Sequence, residues 1–158
     1  MTNVRISYET FQKTAPGAQA ALLAMGKNTD ESGLDKTIVE LAKLRVSQIN
    51  NCAFCLQIHL NVSRRLGVPQ EKLDLVAPWH EAGIFSDKEG AALAWAELLT
   101  RLADRSVPDE AYEAVCKHFS QSEVIALSVA IANINAWNRL GAAFRFAPPI
   151  QKKVATAA

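Results

Sequence analysis

The sequence lacks several things at once, and each absence removes a class of function. No apolar run in the 158 residues approaches the roughly 18 that a membrane span needs. Met1-Thr2-Asn3-Val4-Arg5 is not followed by the apolar stretch and small-residue cleavage site of a secretory leader. The expected location is the cytoplasm, with no membrane partner. An excess of charge of one sign is also missing: 17 basic residues against 16 acidic leave a formal net charge of +1. That is too little to draw the chain onto nucleic acid or an anionic bilayer. Three cysteines are too few for a disulfide scaffold, and in a reducing compartment the close pair Cys52 and Cys55 points to metal binding or redox chemistry. No segment alternates apolar and polar residues as a half-buried strand does.

What the chain has is helical period, so the expected fold class is all-α, a single domain over residues 1–158. A chain of this length buries about 68–70% of the surface its unfolded form exposes, enough for a real core. Hydrophobic residues at 49% against 21% charged leave little charge to cover a free surface, which favours an oligomer. The patterns predict helices over 16–25, 35–49, 52–67, 70–75, 86–105 and 120–141, with a loop from Gly26 to Gly33. The starts rest on Pro16, and on Ser86 and Ser120, each followed three residues later by Glu as in a capping box. Gly67 with Pro69 beyond it marks a helix end. The last predicted helix is apolar nearly all round and is placed centrally or at a subunit contact. Residues 148–158 read as a surface strap or a disordered end. Glu40, Leu44 and Asn50 share their spacing with Glu123, Leu127 and Asn133, a weak echo that a duplicated helical hairpin would produce.

The chemistry concentrates between Glu40 and His59. If Cys52 to His59 is helical at about 100° per residue, offsets of three, four and seven place both thiols and the imidazole on one stripe. Residues three apart on a helix have Cα atoms within reach of a disulfide, so the pair closes with little backbone movement. A cysteine in the first helical turn also sits beside the positive end of the dipole, which favours thiolate. Folding back at Asn50-Asn51 brings Glu40 opposite His59. A carboxylate holding an imidazole one turn from Cys55 is suited to take a thiol proton and return it to a leaving atom. Helix-start logic makes Cys52 the more exposed thiol, the one that exchanges with an external dithiol.

Two other readings accompany this one. Cys-x2-Cys-x3-His with Glu40 offers a zinc ligand set, although three ligands from one short stripe crowd a tetrahedral site. A redox-sensing oligomer without turnover would use the same disulfide. Cys116, His80 and His118 have no constellation around them and read as structural. Trp79, Trp95 and Trp137 sit among apolar residues and read as core or interface.

Glu40, Leu44-Arg45, Ser47, Asn50, Cys52-x-x-Cys55 and His59, followed by Arg64 and Gly67, resemble the alkylhydroperoxidase D-like (AhpD-like) branch of the carboxymuconolactone decarboxylase family. Asn133-x-Asn135-x-Trp137-Asn138-Arg139 looks like the family too. The resemblance implies an all-α peroxidase that uses no haem or flavin, assembled as a homotrimer or homohexamer. It implies Cys55 as the thiol that attacks a small hydroperoxide, Cys52 as the resolving one, Glu40 and His59 as the relay, and a dithiol reductant protein or small thiol as the partner that restores the pair. Phe54 departs from the pattern. Better-known peroxidase members carry His there, so this chain has one proton donor fewer and more apolar surroundings. The decarboxylase branch lacks the cysteine pair.

Overall fold

Side-chain caps set where the helices begin. Ser7, Asp35, Ser86 and Ser120 each accept a hydrogen bond from a backbone N–H two or three residues on, satisfying donors that a helix start leaves unpaired. In the computed structural model, which describes residues 3–150, the helices are α1 (Tyr8–Thr14), α2 (Pro16–Glu31), α3 (Lys36–Ile49), α4 (Ala53–Arg65), α5 (Gln70–Leu75), α6 (Trp79–Ala82), α7 (Asp87–Thr100), α8 (Asp109–Cys116) and α9 (Gln121–Phe144). A 3-10 turn, Leu102–Asp104, follows α7, and there is no strand among the described residues. Most of the expected terminal strap, 151–158, lies outside the described residues. Its first part does touch the body, since Asn61 on α4 donates to the Pro149 carbonyl at 3.1 Å.

The all-α expectation holds, and α3 and α9 form its centre. Leu41, Ala42, Leu44 and Val46 of α3 are buried against α4, α7 and α9. Burying each such leucine is worth about 1.5–3 kcal/mol. From α9, Val124, Leu127, Ile131 and Ile134 face the same core, and α2 packs along its other side. Because α3 and α4 are consecutive and pack together, their facing side chains are fixed in register by the short turn between them.

Several boundaries differ from the sequence reading. The helix expected to stop at Met25 continues to Glu31, because Gly26 is helical and the true stop is Gly33 at φ 80°. Gly26 lies against α9 instead: a Cβ there would be in van der Waals contact, 3.4 Å from Asn133 Nδ2. The helix expected to reach Arg105 ends at Thr100, whose hydroxyl turns back to the Ala96 carbonyl. The last helix passes Gly141 and ends at Phe144. The segments α1, α6 and α8 were not anticipated. The hairpin duplication fails, since α9 runs straight through Asn133 while Asn50 caps α3, and Glu123 sits at a helix start while Glu40 is mid-helix. No helix among the described residues is long and apolar enough to cross a membrane.

Candidate active site

Everything in the site hangs from the turn between α3 and α4. Asn50 caps α3, Asn51 takes a left-handed conformation at φ 52°, and the Cys52 N–H returns to the Ser47 carbonyl at 3.1 Å. Asparagine tolerates that backbone region better than most residues. An amide network pins the turn to α9. Asn50 Nδ2 donates to Asn135 Oδ1 at 2.8 Å and to Asn138 Oδ1 at 2.9 Å, and Asn138 Nδ2 donates to Ser47 Oγ at 3.2 Å. Asn138 and Ser47 are fully buried, so each partner matters.

Cys52 is the N-cap of α4, and its sulfur accepts the Cys55 N–H at 3.3 Å. The two sulfurs are joined as a disulfide, with Cα atoms 5.4 Å apart. Both cysteines are buried, 2% and 3% exposed. The expectation that Cys52 is the more exposed sulfur is therefore corrected. As a cap it turns inward against α9, and only Cys55 reaches the cavity beside it. Gly141 on α9 provides the room: a Cβ there would stand 2.7 Å from Cys52 Sγ and 3.3 Å from Cys55 Sγ.

One helical turn beyond Cys55, His59 Nδ1 lies 2.7 Å from Glu40 Oε2. The other carboxylate oxygen, Oε1, accepts from Lys43 Nζ at 3.0 Å. Burial pushes the Glu40 carboxyl up, but the hydrogen bond and charge of His59, with those of Lys43, more than reverse this and hold it below its ordinary value. An ionised carboxylate only accepts, so His59 Nδ1 carries the hydrogen of this bond, and whenever the ring is neutral Nε2 is its acceptor nitrogen.

A cavity of about 330 Å³ opens over Cys55 and His59. Its walls come from Tyr8 of α1, Leu22, Leu23, Lys27 and Asp30 of α2, Phe54 and Ile58 of α4, and Asn133, Ile134 and Trp137 of α9. Phe54 packs between Tyr8 and Phe146 with ring centroids 5.3 Å from each. The structure thus brings Glu40, Cys52, Cys55 and His59 together. It leaves His80 and His118 elsewhere and exposes the free thiol Cys116 on α8, which is therefore no core residue. Of the tryptophans, Trp95 is buried and donates to Ser128, Trp79 donates to Glu97, and Trp137 lines the cavity, a role its apolar neighbours did not announce. Lys43, Gly141 and Asn133 were missed as site residues. Lys43 carries a sequence signal, three positions after Glu40 on one helix face. No group of three or more His, Cys, Asp and Glu side chains among the described residues is arranged to hold a metal.

The profile of the carboxymuconolactone decarboxylase family matches residues 16–98, more than half of the chain. The chain belongs to this family. Within it, the chain is similar to an uncharacterised protein, YdfG of Bacillus subtilis, at 35% identity over 139 residues, covering 88% of this chain and 92% of that one. Among solved structures it is similar to a protein of unknown function from Agrobacterium tumefaciens, described provisionally as an antioxidant defence protein AhpD. The two share 36% identity with a TM-score of 0.88, covering 94% of this chain and all of the other. The fold alone is shared with a peroxidase-related protein from Ralstonia eutropha described as an alkylhydroperoxidase AhpD core, at 20% identity and TM-score 0.77, covering 88% and 74% of the two chains. The family assignment is AhpD-like, and Cys52 and Cys55 form a CxxC pair.

Proposed function

We propose that this protein is a thiol-dependent peroxidase that reduces small organic hydroperoxides through Cys52 and Cys55, with Glu40 and His59 moving the proton. The observation that carries this is the one-sided access to the pair. Of two bonded sulfurs, Cys55 alone faces a largely apolar cavity, and the same cavity holds a histidine oriented by a buried carboxylate.

In the reduced protein His59 Nε2 accepts the Cys55 proton, and the thiolate attacks the terminal oxygen of the hydroperoxide. The O–O bond breaks, Cys55 becomes a sulfenic acid, and the departing alkoxide takes the proton from His59 as an alcohol. The Cys52 thiol then displaces water from the sulfenic acid, forming the disulfide. A dithiol reductant, a protein or a small thiol compound, restores both thiols and leaves as its own disulfide. No cofactor enters these steps. We place the enzyme in the cytoplasm, as a homotrimer or homohexamer of a single-domain chain. Assembly is supported by the outer face of α9, where Ile125 is 59% exposed and Ala132 is also in solvent.

The test is hydroperoxide consumption with a dithiol reductant by wild type, Cys52→Ser and Cys55→Ser. Wild type turns over, Cys55→Ser is inactive, and Cys52→Ser forms a sulfenic acid once without resolving it. Equal rates in all three would sink the proposal.

A further inference from the structure

Two cavities meet at Phe54. The first is the one over Cys55 and His59, with Tyr8 in its wall. The second, also about 330 Å³, opens where α4 begins and α9 ends, between Val4, Asn51, Ala53, Gly141, Arg145 and Phe146. Among the described residues, Phe54 alone lines both. Its ring stands between Tyr8 of the first cavity and Phe146 of the second, 5.3 Å from each. Tyr8, Phe11 and Phe146 also pack on one another, at 5.4, 5.9 and 6.3 Å, so the aromatic cluster holds together without Phe54. What Phe54 adds is a partition beside the sulfurs, since Gly141 of the second cavity is the glycine whose Cβ would touch Cys52 and Cys55.

Elsewhere the first cavity is closed to apolar bulk by charge. Lys43 is set into its wall and bonded to Glu40, and Lys27 and Asp30 stand exposed along it. A hydrocarbon group pressed against these would strip water from charged groups without replacing it. Bulk carried next to the O–O bond, close to Cys55, is therefore left to the apolar walls, of which the Phe54 ring is the nearest in the chain.

We propose that Phe54 sets the size limit of the substrate. The site takes slender hydroperoxides, such as primary alkyl hydroperoxides, and turns away those branched or arylated at the carbon that bears the O–O group. This rests on the thiol-peroxidase reading and narrows its substrate class. Shortening Phe54 joins the two cavities and gives a branched group space beyond the partition. There it meets Ala53, Gly141 and Phe146, while Asn51 and Arg145 are exposed and keep their polar ends in water.

Two measurements test it. First, kcat/KM is compared for ethyl hydroperoxide and cumene hydroperoxide in wild type, Phe54→Leu and Phe54→Ala. Wild type is expected to favour the ethyl compound, and Phe54→Ala to reduce that preference roughly tenfold or more, the scale set by small changes of fit in an apolar pocket. Phe54→Leu should fall between. A preference unchanged in both variants, or a wild type that favours cumene hydroperoxide, overturns the proposal. Taking the ratio cancels any change in the reactivity of the neighbouring Cys55. Second, reduced protein is alkylated with N-methylmaleimide and N-phenylmaleimide in a Cys52→Ser, Cys116→Ser background, where Cys55 is the one thiol left of three. The methyl reagent is expected to react faster with Phe54 in place, and the two rates to converge on adding Phe54→Ala. Unchanged selectivity counts against Phe54. Phe54→Leu carries both measurements if the alanine variant does not fold. If neither hydroperoxide is consumed, the peroxidase reading fails, while the maleimide pair still decides the role of the ring.

Discussion

Gly141 has no side chain where two sulfurs need the space, and a single methyl group there is enough to test the point. Gly141→Ala puts a Cβ within 2.7 Å of Cys52 Sγ, closer than packed atoms approach, so the disulfide or α9 must move. We expect overpacking to cost about 1–3 kcal/mol despite the better helix propensity of alanine. We also expect re-formation of the disulfide from the reduced protein to slow. Denaturant midpoints in oxidised and reduced protein, with a thiol-trapping time course, check both. Glu40 makes the second prediction at this scale. Its carboxyl lies below the ordinary value of 4.5, with burial outweighed by His59 and then Lys43. A depressed carboxyl contributes stability that is present above that value and lost as pH falls through the lower folded one. Glu40→Gln should cut peroxide turnover by roughly 100-fold at neutral pH, the scale of one general acid–base partner. The loss of stability that wild type shows on acidification below pH 4.5 should be reduced in the variant. Steady-state rates and unfolding curves against pH separate the two effects.

At the scale of elements, the two capping boxes of α7 and α9 share a design in which a lysine from elsewhere closes on the capping glutamate. Lys72 lies 2.6 Å from Glu89, and Lys88 lies 2.9 Å from Glu123. The Lys88 hydrogen bond, with those from Ser120, draws the Glu123 carboxyl down to about 2. The capping contribution of Glu123 is therefore complete above pH 4.5 and fades between there and pH 2. Glu123→Gln should flatten that limb of the stability profile, and Ser120→Ala should cost about 1 kcal/mol at neutral pH. Helicity against pH and denaturant reads both. These boxes were visible in the sequence because a capping box is a local pattern, and so were α3, α5 and the start of α4. Gly26 was misread for the opposite reason. Whether a glycine ends a helix or admits a neighbour depends on what packs against it, and Asn133 is more than a hundred residues away. The same distance hid Gly141 and Asn133 as parts of the site, whereas Glu40 and His59 were legible because one short turn relates them. The α1 helix, which contributes Tyr8 to the cavity, is only seven residues long, too short to show a period.

For the whole molecule, the disulfide spans a single helical turn, so it restrains little of the unfolded chain. The chain-entropy estimate for so short a loop is about 2 kcal/mol, small against a core built from most of α3 and α9. Reduction should therefore lower the melting temperature by about 4–8 °C and leave the far-ultraviolet spectrum unchanged. Calorimetry with and without reductant measures the first and circular dichroism the second. The burial of Cys52 has a further kinetic meaning. In the proposed mechanism an incoming dithiol would strike Cys55, the sulfur on the cavity wall, through the opening a peroxide would use, and Cys52 would depart as a thiolate held by the Cys55 N–H. Under that mechanism oxidant and reductant would take turns at one doorway and never occupy it together. Double-reciprocal plots at several reductant concentrations should be parallel, the ping-pong pattern, and excess reductant should compete with peroxide for entry.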